Sequence, residues 1–161
     1  GDIFPSLQTG VIDATEWVGP YHDYLMGFHK IAPYYYTGGW HEPGSVLELI
    51  INKEAWDSLP PDLQQIVSCC AIETNTRMFS EWGHMDSMYY KKLQEEGQVK
   101  FKEYPEEITR TMHRFADEVL EEVAAADELS GRIHQSFKSF QKTFEAYQEV
   151  SERAYVKAQK A

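Results

Sequence analysis

The chain has 161 residues, 42% of them hydrophobic and 25% charged, the length and make-up of one globular domain. Its net charge is −11 and its lysines and arginines form no cluster, which excludes a nucleic-acid binder, since that function needs a basic face. An acidic chain can still hold an anion, but only through a local positive group or a cation.

Asp2 and Gly10 bracket a short helix, with Gly10 where helices commonly end in a left-handed residue. Val11-Ile12-Asp13-Ala14 is a short strand candidate. Gly19-Pro20 makes a turn, and Tyr21 to Phe28 follows as a helix. Ile31 to Tyr36 is rich in β-formers and reads as a strand. Gly38-Gly39 breaks it, and Glu42-Pro43-Gly44 makes a second turn. Ser45 to Asn52, SVLELIIN, is the clearest strand: β-branched, apolar and short. Its consecutive isoleucines suggest burial on both faces.

From Lys53 the pattern turns helical. Ser58-Leu59-Pro60-Pro61-Asp62 starts a helix, and Leu63, Ile66, Val67, Cys70, Met78, Trp82, Met85, Tyr89 and Leu93 recur at helical spacing as far as Gly97. The adjacent Cys69 and Cys70 suit a disulfide poorly and read as two small buried apolar residues. Val99 and Phe101 alternate with Lys100 and Lys102 in a half-buried strand. Pro105-Glu106-Glu107 opens a last helix with acids at its positive end. It runs, with a kink near Gly131, almost to Ala161.

No run approaches the ~20 apolar residues of a membrane span, and no secretory leader is visible. The chain opens at Gly1 within an apparent helix start, and its strand runs are too scattered for a self-contained sheet. The expectation is a piece of a longer protein. Residues 1–105 would form an incomplete α/β part and residues 106–161 a long helical tail.

Two blocks carry candidate chemistry: Asp13-Ala14-Thr15-Glu16-Trp17 and Trp40-His41-Glu42-Pro43-Gly44. Each sets a carboxylate beside a tryptophan in a loop after a strand candidate, where α/β folds bind ligands. Carboxylates and main-chain carbonyls are hard ligands that suit Na⁺, Ca²⁺ or Mg²⁺. Tryptophan adds a flat apolar wall and one N–H donor. On pattern alone a plainer reading stays open, in which Glu16 and Glu42 are solvated surface acids and the tryptophans are core. His22, His29 and His41 fit no zinc motif, because His41-Glu42 is followed by proline and glycine rather than by the spacing H-E-x-x-H. No serine or cysteine sits in a nucleophile elbow. No catalytic residue is therefore named, and binding rather than catalysis is expected. In the tail, Ile133, Phe137, Phe140, Phe144 and Tyr147 step by four and three along one face, a heptad-like seam. It packs either on its own domain or on a partner.

Gly10 to Pro20, GVIDATEWVGP, followed in order by YYYTGGWHEPG and IINKEAWDSLPPDLQQIV, resembles the periplasmic solute-binding proteins of TRAP transporters. The likeness is greatest to the subgroup that binds 2-oxo acids and related hydroxy acids. It covers nearly the whole chain but only the C-terminal half of the family's usual length. The fold it implies is α/β, the C-terminal part of a two-lobe, type II-like periplasmic binding protein, followed by a long C-terminal helix. The function it implies is capture of a small organic carboxylate for the membrane permease subunits of the transporter. The setting would be the periplasm, with the signal peptide outside this chain. In the subgroup a metal ion bridges protein and ligand. By resemblance, Glu16, the main-chain carbonyl of Trp17 and the carboxylate of Glu42 are ligands of a sodium or calcium ion, and Glu16 and Trp17 also line the ligand pocket. The family's anion-pairing arginine and a glutamine of the cation site fall upstream of Gly1. A C-terminal helix exchanged between protomers implies a homodimer through the aromatic seam. The rival reading is a helical interaction or scaffolding module with no small-molecule ligand.

Overall fold

The structure, a computed structural model, describes residues 1–42, 44–45 and 47–160. It divides into two units, Gly1–Tyr104 and Pro105–Ala161.

In the first unit, α1 spans Ile3–Thr9 and ends at Gly10. No strand forms at Val11–Ala14. The amides of Val11 and Ile12 both bond back to the Ser6 carbonyl, at 2.9 and 3.3 Å, so the chain turns off the end of α1 instead of extending. Helix α2 spans Pro20–Leu25 with proline in its first turn. A 3₁₀ turn at Phe28–Lys30 follows it, then strand β1 at Tyr34–Thr37. Helices α3 (Lys53–Ser58) and α4 (Pro61–Glu96) come next, and α4's 36 residues make it about 54 Å long. Gly97, at φ +64°, ends α4 in the left-handed region that glycine tolerates best and turns the chain into β2, Lys100–Glu103.

Strands β1 and β2 are parallel, with Tyr34 opposite Lys100 and Tyr36 opposite Lys102. Alternation puts Tyr35 and Phe101 on one face, where their rings lie 5.3 Å apart and Phe101 meets Tyr90 of α4 at 4.8 Å. Tyr34 and Tyr36 sit on the other face, exposed. The buried side chains are Phe28, His29, Leu93 and Val99.

The clearest strand candidate does not form one. Leu47 to Asn52 has no regular structure, and Leu47, Leu49 and Ile50 are exposed. A strand needs a neighbour for its N–H and C=O groups, and no described residue supplies one. Asn52 instead caps α3 by accepting the Ala55 amide at 3.0 Å. Pro43 of the expected second turn and Val46 of this strand lie outside the described residues. Cys69 and Cys70 are exposed rather than buried; Ile66, Ile72 and Phe79 are exposed along the same helix, and no described element covers that part of it.

The second unit is helical: α5 (Glu106–Ala126), α6 (Glu128–Gln148) and α7 (Glu152–Ala158). The chain breaks at Asp127, not at Gly131. Asp127 is extended and accepts the Ser130 amide at 2.9 Å and the Ser130 hydroxyl at 2.7 Å, which caps a new helix. Gly131 lies inside α6, where a Cβ would stand 3.1 Å from the Ala124 carbonyl oxygen. Further along, Lys138 pairs with Asp117 at 2.8 Å. The two pairs run in opposite order along the helices, so α5 and α6 are antiparallel. They meet through small and polar residues such as Ala124 and Gly131. Ile133, Phe137, Phe140, Phe144 and Tyr147 are left 44–66% exposed.

Candidate functional site

The first acidic block lies in the loop between α1 and α2, and the second lies in the loop after β1. The structure brings one residue of the first block to two of the second: one donor atom each from Glu16, His41 and Glu42 lie within 4.8 Å of one another. His41 Nε2 stands 4.0 Å from Glu16 Oε2 and 3.8 Å from Glu42 Oε1. These distances are too long for hydrogen bonds. Two donors that share an ion at about 2.0–2.6 Å stand about 3–4 Å apart, and the two His41 distances fall at the upper end of that range. All three side chains are exposed.

The donor set suits a hard cation, with two carboxylates as its oxygen donors. The Trp17 carbonyl follows Glu16 directly in the chain, and Trp17 is 44% exposed. The Thr15 hydroxyl donates to the Glu16 carbonyl at 3.3 Å. The Trp40 ring lies 5.6 Å from the His41 ring, edge-on. His41 had no motif to recommend it as a ligand; its place in the cluster comes from the meeting of two loops. The other two histidines are elsewhere. His22 packs edge-on against Trp82 at 4.9 Å, and His29, buried, stacks on Tyr24 at 4.2 Å. Burial lowers the proton affinity of His29.

Behind the loops stands a polar frame. Asp86, on α4, accepts the Tyr21 amide in the first turn of α2 at 2.9 Å. Asp23, on α2, accepts the Tyr35 hydroxyl of β1 at 2.5 Å. Burial pushes the Asp23 carboxyl above its ordinary range. The Tyr35 hydroxyl and the Val18 and Gly19 amides offset part of that, and the charge of Asp86 adds to it. Burial, followed by the bond to Asp23, raises the Tyr35 phenol well above its usual value. None of these three residues stood out in the sequence. The Gly19-Pro20 turn marks the start of α2, but a cap supplied from α4 leaves no local signal.

Residues 1–127 match the family described as bacterial extracellular solute-binding protein, family 7. The chain is 34% identical over 155 residues to a monocarboxylate 2-oxoacid-binding periplasmic protein of Nostoc sp., covering 96% of this chain and 42% of that one. Two crystal structures of TRAP periplasmic solute binding proteins are similar to it. One, from Colwellia psychrerythraea with bound calcium and pyruvate, shares 37% identity at a TM-score of 0.92, over 98% of this chain and 48% of that one. The other, from Pseudoalteromonas atlantica with bound sodium and pyruvate, shares 38% identity at 0.88, over the same shares of the two chains. The chain thus spans about half the length of the relatives it matches.

Proposed function

Because the chain belongs to the bacterial extracellular solute-binding protein family 7, we propose that it is part of the periplasmic subunit of a TRAP transporter, which captures a small 2-oxo or hydroxy carboxylate through a bridging cation. The observation that carries this is the meeting of Glu16 and Glu42, from separate loops, within one cation's reach. Two carboxylates brought together in a chain of net charge −11 repel each other unless a positive charge offsets them. Glu16, the Trp17 carbonyl and Glu42 are the residues that would hold a sodium or calcium ion, with His41 beside them. Such an ion supplies the positive charge that a carboxylate ligand needs. The exposed face of Trp17 gives that ligand an apolar wall.

The proposal extends to partners and place. Residues 1–105 contribute to the solute-binding lobes, and the complete subunit delivers its ligand to membrane permease subunits from the periplasm. No helix among the described residues is long and apolar enough to cross a membrane. The tail, residues 106–161, joins two protomers through its exposed aromatic seam. The work is binding and release, not catalysis, and family membership favours it over a scaffolding module with no ligand.

The test is calorimetry of the intact protein with pyruvate, with and without its cation, for wild type and Glu42→Gln. Loss of a metal ligand should weaken pyruvate binding at least about tenfold, and removing the cation should do the same. Pyruvate affinity indifferent to both changes would overturn the reading.

A further inference from the structure

The loop that carries Glu16 and Trp17 is anchored on both sides. On its upstream side the amides of Val11 and Ile12 bond the Ser6 carbonyl. Downstream, the anchor is Asp86, 65 residues away in sequence. Its carboxylate accepts the Tyr21 amide, one of the helix-start donors that α2 itself cannot satisfy. The same carboxylate lies against Gly19. A Cβ there would stand 3.1 Å from both Asp86 oxygens, closer than ordinary contact. Gly19 is therefore the residue that lets the chain descend onto Asp86, two positions after Trp17.

The same short helix is tied to the second block. Asp23, two residues beyond Tyr21, accepts the Tyr35 hydroxyl of β1, and β1 leads through Gly38 and Gly39 to His41 and Glu42. Helix α2 is thus the shared mount of both loops, and Asp86 fixes where that mount begins.

We propose that Asp86 is a positioning residue for the cation site: by capping α2 from α4 it sets the place of Glu16 and of the Trp17 carbonyl relative to Glu42. This rests on the reading of Glu16, Trp17 and Glu42 as cation ligands. Asp86 touches no ligand; it acts through Tyr21 and Gly19. A bound ion tolerates little displacement of its donors, and residues that hold ligands in place typically matter about 10- to 100-fold in metal affinity.

The experiment titrates calcium alone into the cation-free intact protein by calorimetry, at a temperature where circular dichroism shows each variant folded. Asp86→Ala should weaken calcium binding by about 10-fold or more. Asp86→Asn keeps an oxygen that can accept the Tyr21 amide and should stay within about threefold of wild type. That rescue separates a positional role from a charge effect. Gly19→Ala should weaken calcium binding in the wild-type background and add little on top of Asp86→Ala, since the clash needs the carboxylate. Should Asp86→Ala not fold, Gly19→Ala and Asp86→Asn carry the test. Calcium affinity unchanged in Asp86→Ala, or in Gly19→Ala where the former does not fold, overturns the inference if Glu42→Gln has lost binding. Unchanged affinity in Glu42→Gln as well overturns the cation site itself.

Discussion

In residues 1–104 the buried side chains, Phe28, His29, Leu93 and Val99, sit in the turn after α2, at the end of α4 and just before β2. Residues 105–160 contain no buried side chain. The first unit also carries long-range polar ties, Asp86 to Tyr21 and Asp23 to Tyr35, that fix the places of loops. In the second unit, α5 and α6 meet through small and polar residues and turn their large apolar ones outward. Ile108, Met112, Phe115, Val119, Leu120 and Val123 of α5 are 37–55% exposed, like the seam of α6. Exposed apolar faces of that extent mark surfaces that something covers. One unit brings Glu16, His41 and Glu42 together in an acidic cluster, and the other leaves most of its large apolar side chains exposed.

The sharpest way to break this contrast is to make the seam polar. Phe140 and Phe144 stack at 5.6 Å on one face of α6. If that face joins two protomers, the homodimer covers four such rings, each already about half covered in its own chain, for roughly 0.75–1.5 kcal/mol apiece. Phe140→Asp with Phe144→Asp should then cost about 3–6 kcal/mol of association, roughly a 10²- to 10⁴-fold loss in the dimerisation constant. Sedimentation of the intact protein at micromolar concentration checks it, and calcium binding should be unchanged. A double variant that associates as tightly as wild type would show the seam to be covered by its own chain.

How much of this could be read from the sequence follows the same division. Helices α1, α4 and α5 are visible because their signals are local: Gly10, the Pro60-Pro61 start, Gly97 and the acids after Pro105. The meeting of Glu16 with Glu42 came from family resemblance, since two loops joined through space have no shared period. Three things needed coordinates. SVLELIIN has every property of a strand except a neighbour, which is non-local. The break at Asp127 reads in sequence as a weak acid-serine cap beside a more conspicuous glycine. The Asp86 cap joins residues too far apart for any pattern to reveal.

A smaller effect tests the polar frame of the first unit. Tyr35→Phe removes the hydroxyl that Asp23 accepts, leaving Oδ2 of that half-buried carboxyl without its partner. Leaving a buried acceptor unpaired costs about 1–3 kcal/mol, measurable by urea unfolding. The pH dependence gives a second reading. Asp23 binds its proton more tightly in the folded state than unfolded, because burial raises it from an ordinary value of 3.8. Its contribution is therefore fully present below that value and is lost as pH rises through the elevated native one. Asp23→Asn, which can still accept from Tyr35, should abolish this loss. Its stability relative to wild type should rise from about pH 4 upward, by at most about 1.4 kcal/mol per pH unit. A flat difference between the two proteins would show that Asp23 is not a buried charge.

The smallest expected effect separates two arrangements of the tail. Replacing a glycine inside a helix by alanine ordinarily stabilises it by about 1 kcal/mol. Gly131 lies within α6, but its Cβ would stand 3.1 Å from the Ala124 carbonyl of α5, tighter than normal contact. While α6 folds back on α5, Gly131→Ala gains helix propensity and loses that close approach, so the net change in stability should be near zero. A tail that instead runs straight on and meets a second copy through the aromatic seam, without rebuilding the α5–α6 contact, brings no Ala124 carbonyl to residue 131. There the same substitution should stabilise by the full ~1 kcal/mol and shift the population toward dimer. Thermal unfolding with sedimentation of Gly131→Ala thus reads which form the tail takes. A stabilised dimer would mean that the hairpin of α5 and α6 opens on association, and an unchanged protein would mean that the seam works from the hairpin as it stands.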